Sequence, residues 1–492
     1  MRRLVTVRAM LHLPPRALSP LLPVLFLLPL HAQDQSAQEP PRSLPAELKQ
    51  ITAAYSAKVA ASAVFVSGRT IESVLDQEMA PDAPLQALVR PLLSYEVDRE
   101  QKTVTATVLG TKVSAAYVDG IGCTIVRGDL ATLRARALPT VATAFDPRPW
   151  PIGDAVDAIG MPRGVDGKAI DKALDAAFTD REGRSKARTR AVVIVHKGRV
   201  VAERYAPGFT ADMPLPGWSM SKSLVNALIG LRIQDGKLDP NAPLPVPEWS
   251  SENDPRHALR LMDLLRMESG LEWSEDYGDP SSLALRMLFA SSDYGKVAAD
   301  QPLRAKPGST HQYSSGTSNL LCRILRATFA DEREYLAYAR DRLFLPLGMK
   351  SALLEVDPTG VFVGSSFGFA TARDWARFGL FYLRDGKVDG KRLLPEGWVA
   401  TAITPCASSD EGDYGAHLWL NAGKKDDPSK RPFSTLPTDL FYLSGFEGQY
   451  VVCFPSHDLV VVRLGCTKKG GFDLHGFLRA VMQACEPSSS PK

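Results

Sequence analysis

The sequence predicts a mixed α/β fold of the α+β kind: an antiparallel sheet flanked by helices, a mostly helical stretch between its two halves, and an additional N-terminal region. Three observations carry this. Strand-like runs stand at both ends of the main domain, Arg190–His196 and Arg199–Tyr205 near its start and Leu440–Leu443, Gln449–Phe454 and Leu459–Leu464 near its end. Between them the apolar pattern is helical, so one sheet assembled from distant segments is the simplest arrangement. The Lys197-Gly198 separation has the spacing of a tight hairpin, which makes the first two strands antiparallel.

The chain has 492 residues, 45% hydrophobic and 23% charged, a globular composition with ample length for a large core. Its net charge is +3, from 58 basic and 55 acidic residues that are interspersed. Without a basic block, nucleic acid is not an expected partner. Arg2, Arg3, Arg8 and Arg16 precede the apolar run Leu21–Leu30, and Ala32 suits a cleavage site. Residues 1–32 therefore read as a signal peptide, and the protein as exported, periplasmic or secreted. The run is too short and Pro-broken for a stable span, and no other apolar run is long enough for one. Residues 33–45 form a polar, Pro-rich linker.

Residues 46–150 form an accessory region, with a helical pattern over Leu48–Ala60 and strands at Thr103–Leu109 and Val113–Val118 joined by Gly110-Thr111-Lys112. Asp146–Pro151 is Pro-rich and marks a boundary, and the main domain spans 151–485. Helix is expected at Lys168–Phe178, Ser219–Gln234 and Leu259–Arg266, and irregularly over Tyr277–Asp300. It is expected again from Thr317 to Phe329 and on to Phe344. Phe362–Thr371 reads as extended, Ala372–Leu383 and Leu474–Ala484 as amphipathic helices, and residues 486–492 as a disordered tail.

The stretch that organises the chain is Pro216–Gly230. Met220, Leu224, Val225, Ala227, Leu228, Ile229 and Leu231 make its helix apolar on most sides. Ser219, Lys222, Ser223 and Asn226 form a polar stripe at i, i+3, i+4 and i+7. A helix apolar nearly all round is buried, and a buried lysine is costly unless paired or used in chemistry. Ser219 one turn before Lys222 is the Ser-x-x-Lys arrangement of acyl-transfer enzymes. Four letters alone are weak, and a second copy stands at Ser489–Lys492 in the tail. The bland readings are a helix N-cap at Ser219 or Ser221 and a lysine reaching for water.

Other chemistries find less support. Gly364-Ser365-Ser366-Phe367-Gly368 matches G-x-S-x-G, but that nucleophile elbow needs a helix starting at the serine, and here the chain continues extended. The six cysteines include no C-x-x-C, so some pair after export or all are buried thiols. The mature histidines stand singly, which gives no metal-ligand cluster. No cofactor is implied.

Further motifs occur in order: Trp218–Ser223, Met267–Trp273, Pro307-Gly308, Tyr313-Ser314-Ser315 and Leu443–Gln449. This set resembles the class C β-lactamase-related serine hydrolases, which include DD-peptidases, esterases and 6-aminohexanoate-dimer (nylon-oligomer) hydrolases. The last branch looks closest, because Glu275–Pro280 resembles its pattern. The resemblance covers about residues 168–484 and implies a β-lactamase/DD-peptidase-like fold. It makes Ser219 the nucleophile, Lys222 the adjacent base and Tyr313 the proton carrier to the leaving group. It places the backbone N–H groups of Ser219 and Phe446 in the oxyanion hole, and Tyr277, Ser315, Ser444 and Gly445 against substrate. The second motif often has Asn where Ser315 stands, and the third often begins with Lys or His where Leu443 stands. Losing that cation disfavours a substrate carboxylate and points to an uncharged small-molecule ester or amide.

The expected chemistry is attack by Ser219 on a carbonyl, with Lys222 and Tyr313 handling the proton and water releasing the acyl-enzyme. A lysine serves as base only when neutral, which desolvation favours. The alternatives are a penicillin-recognising DD-carboxypeptidase or β-lactamase, and a non-catalytic binding or sensor protein on the same fold.

Overall fold

The computed structural model describes residues 5–8, 45–80, 89–140, 144–156, 162–468 and 470–485. Most of the signal segment, nearly all of the linker, the tail and the second Ser-x-x-Lys lie outside the described residues.

The main sheet has six antiparallel strands in the order Trp419–Leu420, Phe441–Gly445, Gln449–Phe454, Leu459–Gly465, Thr189–His196 and Arg199–Tyr205. The two chain ends meet in the middle, where Val461 lies opposite Ile194. The hairpin turn takes positive φ at both Lys197 and Gly198, the primed geometry that matches strand twist. Thr189–His196 is buried along its whole length because both faces are covered, so its run reads as continuously apolar. Val192, Ile194, Val452 and Val461 share a core with helices Gly167–Phe178 and Leu474–Cys485. Val193, Val195, Val451 and Val460 face the other way, into the larger core that holds helix Ala372–Leu383. Gly379 sits where an added Cβ would come within 2.7 Å of Val460, so glycine sets the helix–sheet distance.

In the N-terminal region, helix Ala46–Phe65 packs on an antiparallel sheet of Val5–Arg8, Leu93–Asp98, Thr103–Val108, Thr111–Val118 and Gly122–Ile125. Ala53, Ala54, Ala57, Ala60 and Ala61 are fully buried, and their small side chains bring the helix close to the sheet. The region shares one continuous core with the helical part of the main domain.

Several sequence expectations need correction. The turn between the two anticipated strands is Leu109-Gly110, both at positive φ, so Thr111 and Lys112 belong to the second strand. Leu93–Asp98 and Gly122–Ile125 are additional strands; the first alternates Leu, Tyr and Val with Ser, Glu and Asp, a period-2 signal, and the second is only four residues long. The helix expected from Thr317 starts at Ser315, with Ser314 as its cap accepting from the Thr317 N–H. The segment expected to be extended over Phe362–Thr371 pairs as strand only at Gly368–Ala370. Its start is pressed between two helices, where a Cβ on Gly364 would meet Val225 at 2.1 Å and Cys322 Sγ at 2.5 Å. All six cysteines are buried.

Candidate active site

The organising helix is a short 3-10 turn, Trp218–Met220, running into the α-helix Ser221–Gln234, whose residues from Ser221 to Arg232 are all buried. The polar stripe divides in two. Ser223 Oγ donates to the His417 carbonyl (2.7 Å), and Asn226 donates to the Ala416 carbonyl (3.0 Å). Asn226 also accepts from Tyr382 and Trp398. These two residues are structural ties. Ser219 is half-buried and Lys222 buried, and both face Ser315 and Tyr313 of the helical part.

Lys222 is 2% exposed, and its Nζ donates to three acceptors at 3.1 Å each: Ser219 Oγ, Ser315 Oγ and the Ser365 carbonyl. Three partners match the three donors of an ammonium, so the lysine is fully satisfied without water. The Tyr313 ring lies 4.7 Å from Nζ, centroid to nitrogen, and closes its remaining side. Tyr313 in turn stacks on Trp419 at 5.5 Å and meets Tyr414 edge-on at 5.8 Å, which locks its ring.

Ser315 leads to a group that sequence reasoning did not single out. The Glu275 carboxylate accepts from the Ser315 hydroxyl and N–H, from Trp273 Nε1 and from the Tyr277 hydroxyl. A chain Ser219–Lys222–Ser315–Glu275 therefore crosses the site. Trp273 is fixed by the start of the following helix, where a Cβ on Gly316 would meet its ring at 2.3 Å. Glu275 lies in a loop with no periodicity to mark it, and only its place two residues before Tyr277 gave a hint. Burial and the Glu275 charge push the Tyr277 hydroxyl well above its ordinary range, so it remains a donor. Its ring stacks on Phe446 at 6.1 Å.

Phe446 follows the edge of the sheet strand Phe441–Gly445. A Cβ on Gly445 would come within 2.1 Å of the Gly217 carbonyl, so the strand end presses directly on the turn before Ser219. The Trp218 and Phe446 rings meet edge-to-face at 5.6 Å. The two expected oxyanion-hole residues are thereby neighbours. Trp218 takes φ +48°, which for a bulky residue costs about 1–2 kcal/mol and is held by its surroundings. Ser444 is half-buried opposite Tyr450, and Leu443 is buried in the apolar core.

The G-x-S-x-G serine contributes nothing nucleophilic. Ser366 is buried against Ser365 Oγ, and no helix starts before Ala372. The segment matters for another reason: the Ser365 carbonyl is the third partner of Lys222, and Asn319 clamps Ser365 through its N–H and its hydroxyl.

Beneath the lysine, His417 places Nδ1 2.9 Å from the Lys222 carbonyl and Nε2 3.2 Å from Ser318 Oγ. Burial and the Lys222 charge pull its pKa down to about 3. The unfolded chain binds a proton at this histidine below pH about 6.5, and the folded chain does not until about pH 3. His417 therefore contributes stability that is present above pH about 6.5 and is lost as pH falls toward 3, at up to about 1.4 kcal/mol per unit. The acid-side slope of unfolding free energy against pH in a His417→Gln protein should be smaller by one proton over that window. An unchanged slope would show that the imidazole titrates normally.

No group of three or more His, Cys, Asp or Glu suited to a metal occurs among the described residues, and no described helix is long and apolar enough to cross a membrane.

Comparison with known proteins fits this geometry. A family model described as Beta-lactamase matches residues 174–480. A 6-aminohexanoate-dimer hydrolase of Paenarthrobacter ureafaciens is 27% identical over 307 residues, covering 56% of this chain and 72% of its own. Among solved structures, a provisionally named 6-aminohexanoate-dimer hydrolase from Bacillus anthracis superposes with a TM-score of 0.50 at 21% identity, covering 63% of this chain and 79% of its own. A family VIII carboxylesterase superposes with a TM-score of 0.51 at 14% identity, covering 67% of this chain and all (100%) of its own.

Proposed function

We propose that this chain, which belongs to the Beta-lactamase family of serine hydrolases, cleaves an ester or amide bond in an uncharged small molecule through an acyl-enzyme on Ser219. The observation that carries the reading is the contact of Ser219 Oγ with the buried Lys222 Nζ at 3.1 Å. An unassisted serine is a poor nucleophile, and an amine within hydrogen-bond reach is the neighbour that can act as its base.

In this mechanism the Lys222 ammonium, which donates to Ser219 Oγ at rest, must first give up a proton; Ser219 Oγ then attacks the substrate carbonyl as its hydroxyl proton passes to the Lys222 amine. The backbone N–H groups of Ser219 and Phe446 hold the oxyanion, each worth about 3 kcal/mol in sites of this kind. Tyr313, packed over Lys222, carries the proton to the leaving group. Water then attacks the acyl carbonyl, returning a proton through the same pair and freeing Ser219. Glu275 compensates the lysine charge through Ser315 whenever Lys222 is protonated.

Substrate charge is argued from what surrounds the serine. Leu443 is apolar where a cation would anchor a carboxylate, Lys468 is engaged by Glu447, and Glu275 brings negative charge to the site. The relative named for hydrolysis of an aminohexanoate dimer supports an amide among the substrates. A panel of p-nitrophenyl esters, linear amides and nitrocefin, with intact mass for an adduct on Ser219, tests the reading. Nitrocefin turnover exceeding the others would favour a β-lactamase or DD-carboxypeptidase, and no adduct across the panel would favour a non-catalytic protein.

Glu275→Gln tests the chain behind the lysine. Both N–H donors meet one carboxylate oxygen and both hydroxyls the other, so an amide removes the charge and turns the Ser315 and Tyr277 hydroxyls from donors into acceptors, although Ser315 Oγ already accepts from Lys222. We expect kcat to fall about 10- to 100-fold, on the scale of a displaced catalytic group, with KM little changed. Parent-like kcat would remove Glu275 from the machinery.

Export is part of the proposal. Cleavage after Ala32 would also remove Val5–Arg8 and leave Leu93–Asp98 at the sheet edge. Intact mass of the exported protein reads this directly.

A further inference from the structure

We propose that the N-terminal helix Ala46–Phe65 and the loop after it are the rear support of the nucleophile turn, with Lys58 and Ser67 as positioning residues for Ser219. On its main-domain side the turn is held by Gly445 and Trp375 against Gly217, by Phe446 against the Trp218 ring and by Ser221 Oγ, which donates to the Trp218 carbonyl at 2.6 Å. Leu215 and Pro216 pair with Ala370 and Phe369, and Gly217 N–H donates to the Gly368 carbonyl at 2.8 Å. Trp218 then adopts its unfavourable positive φ, and Ser219 follows. A conformation of that kind persists only where neighbours over-determine it.

Two of those neighbours come from the N-terminal region. Ser67 Oγ donates to the Pro214 carbonyl at 2.6 Å, which fixes the backbone entering the turn. The Trp218 ring packs on Phe367 at 6.1 Å, and Lys58 Nζ lies 3.9 Å from the centroid of that same Phe367 ring. Lys58 is itself buried and immobilised by an ion pair with Glu355 and a hydrogen bond to Ser62 Oγ at 2.9 Å. Glu355 is further held by the Cys123 N–H from the accessory sheet. A second buried tie, Arg69–Glu78–Arg190, joins the loop after the helix to main-sheet strand Thr189–His196. Between these anchors a cavity of about 20 Å³, lined by Lys58, Ser62, Ser67, Pro216, Trp218 and Phe367 among others, holds one water at most. The Trp218 ring therefore has no room to sink while Lys58 is in place. Without the lysine it gains that room, and the turn carrying Ser219 relaxes toward the N-terminal helix.

Lys58→Ala/Glu355→Gln opens that space without stranding a buried carboxylate, and Ser67→Ala removes the backbone tie separately. In the double variant we expect hydrogen exchange at Leu215 and Gly217–Ser221 to rise about tenfold over the parent. We expect kcat to fall by about the same factor with KM within about twofold, since displacement of a reacting group acts on the transition state. Inhibition by phenylboronic acid, whose tetrahedral adduct needs the same turn, should weaken in parallel. Ser67→Ala should show the same pattern to a smaller degree and serves if the double variant does not fold. A merely structural role would lower the unfolding temperature while leaving exchange at the turn and kcat per folded molecule at parent values, and that result overturns the proposal. The kinetic readouts rest on Ser219 being the nucleophile. Exchange does not, so a parent that hydrolyses nothing would sink the proposed function while exchange at the turn still decides this inference.

Discussion

Ser219→Ala should abolish hydrolysis while leaving the protein folded. Removing the attacking oxygen from a site of this type costs about 10⁴-fold or more in kcat, because no other group can form the acyl-enzyme. Ser366, the other motif serine, is buried and is not placed to substitute. The structural cost is small. Lys222 loses one of three acceptors and keeps Ser315 Oγ and the Ser365 carbonyl, a change of about 1 kcal/mol. In a chain of 492 residues that shifts the unfolding temperature by only about 1 °C. The measurement is turnover of the best substrate by purified protein, with fluorophosphonate labelling mapped by mass. Retained turnover, or parent labelling that maps to Ser366, would reject the assignment.

Lys222→Met and Lys222→Arg should each lower kcat/KM by about 10³-fold, the scale of losing a positioned base together with its geometry. The pair of substitutions separates two roles. Arginine keeps the positive charge but does not deprotonate, so it restores nothing if the lysine is the base. An active Lys222→Arg protein would mean that charge alone is needed at this position. Stability argues in the opposite direction from activity. Methionine leaves the buried Ser365 carbonyl unpaired, which costs about 1–3 kcal/mol. It also removes a charge from a site that is 2% exposed, which offsets that loss. The unfolding temperature of Lys222→Met should therefore stay close to the parent while activity collapses. A large drop in both would mark Lys222 as a structural anchor.

The central helix and the hairpin Thr189–Tyr205 were legible because their signals are local. The helix is apolar on almost every side, and the hairpin has a two-residue turn after a strand that is buried along its whole length. The strand Gly122–Ile125 was not, since four residues carry too little pattern and pairing defines it, whereas Leu93–Asp98 carries its own alternation of apolar and polar residues. The polar stripe of the helix shows the same limit within one element. Periodicity placed Ser219, Lys222, Ser223 and Asn226 on one face, but it could not separate the first two from the others. That division is made by the loop at Ala416–His417, which takes the hydrogen bonds of Ser223 and Asn226 from almost two hundred positions away (194 and 190).

What the sequence alone determined is the buried helix with a serine one turn before a lysine, and the ordered motifs around it. These are short-range patterns of residue type, and burial follows from composition. What only the tertiary structure decided is everything the lysine touches beyond that serine: Ser315 on another helix, the Ser365 carbonyl in a segment that resembled a different motif, and Glu275 behind them. It also decided that Lys58, from a region with no catalytic motif, lies against Phe367, the ring on which Trp218 packs. The physical reason is that a charge removed from water must be satisfied by whatever folding brings within about 3 Å, and those partners come from segments far apart in the chain.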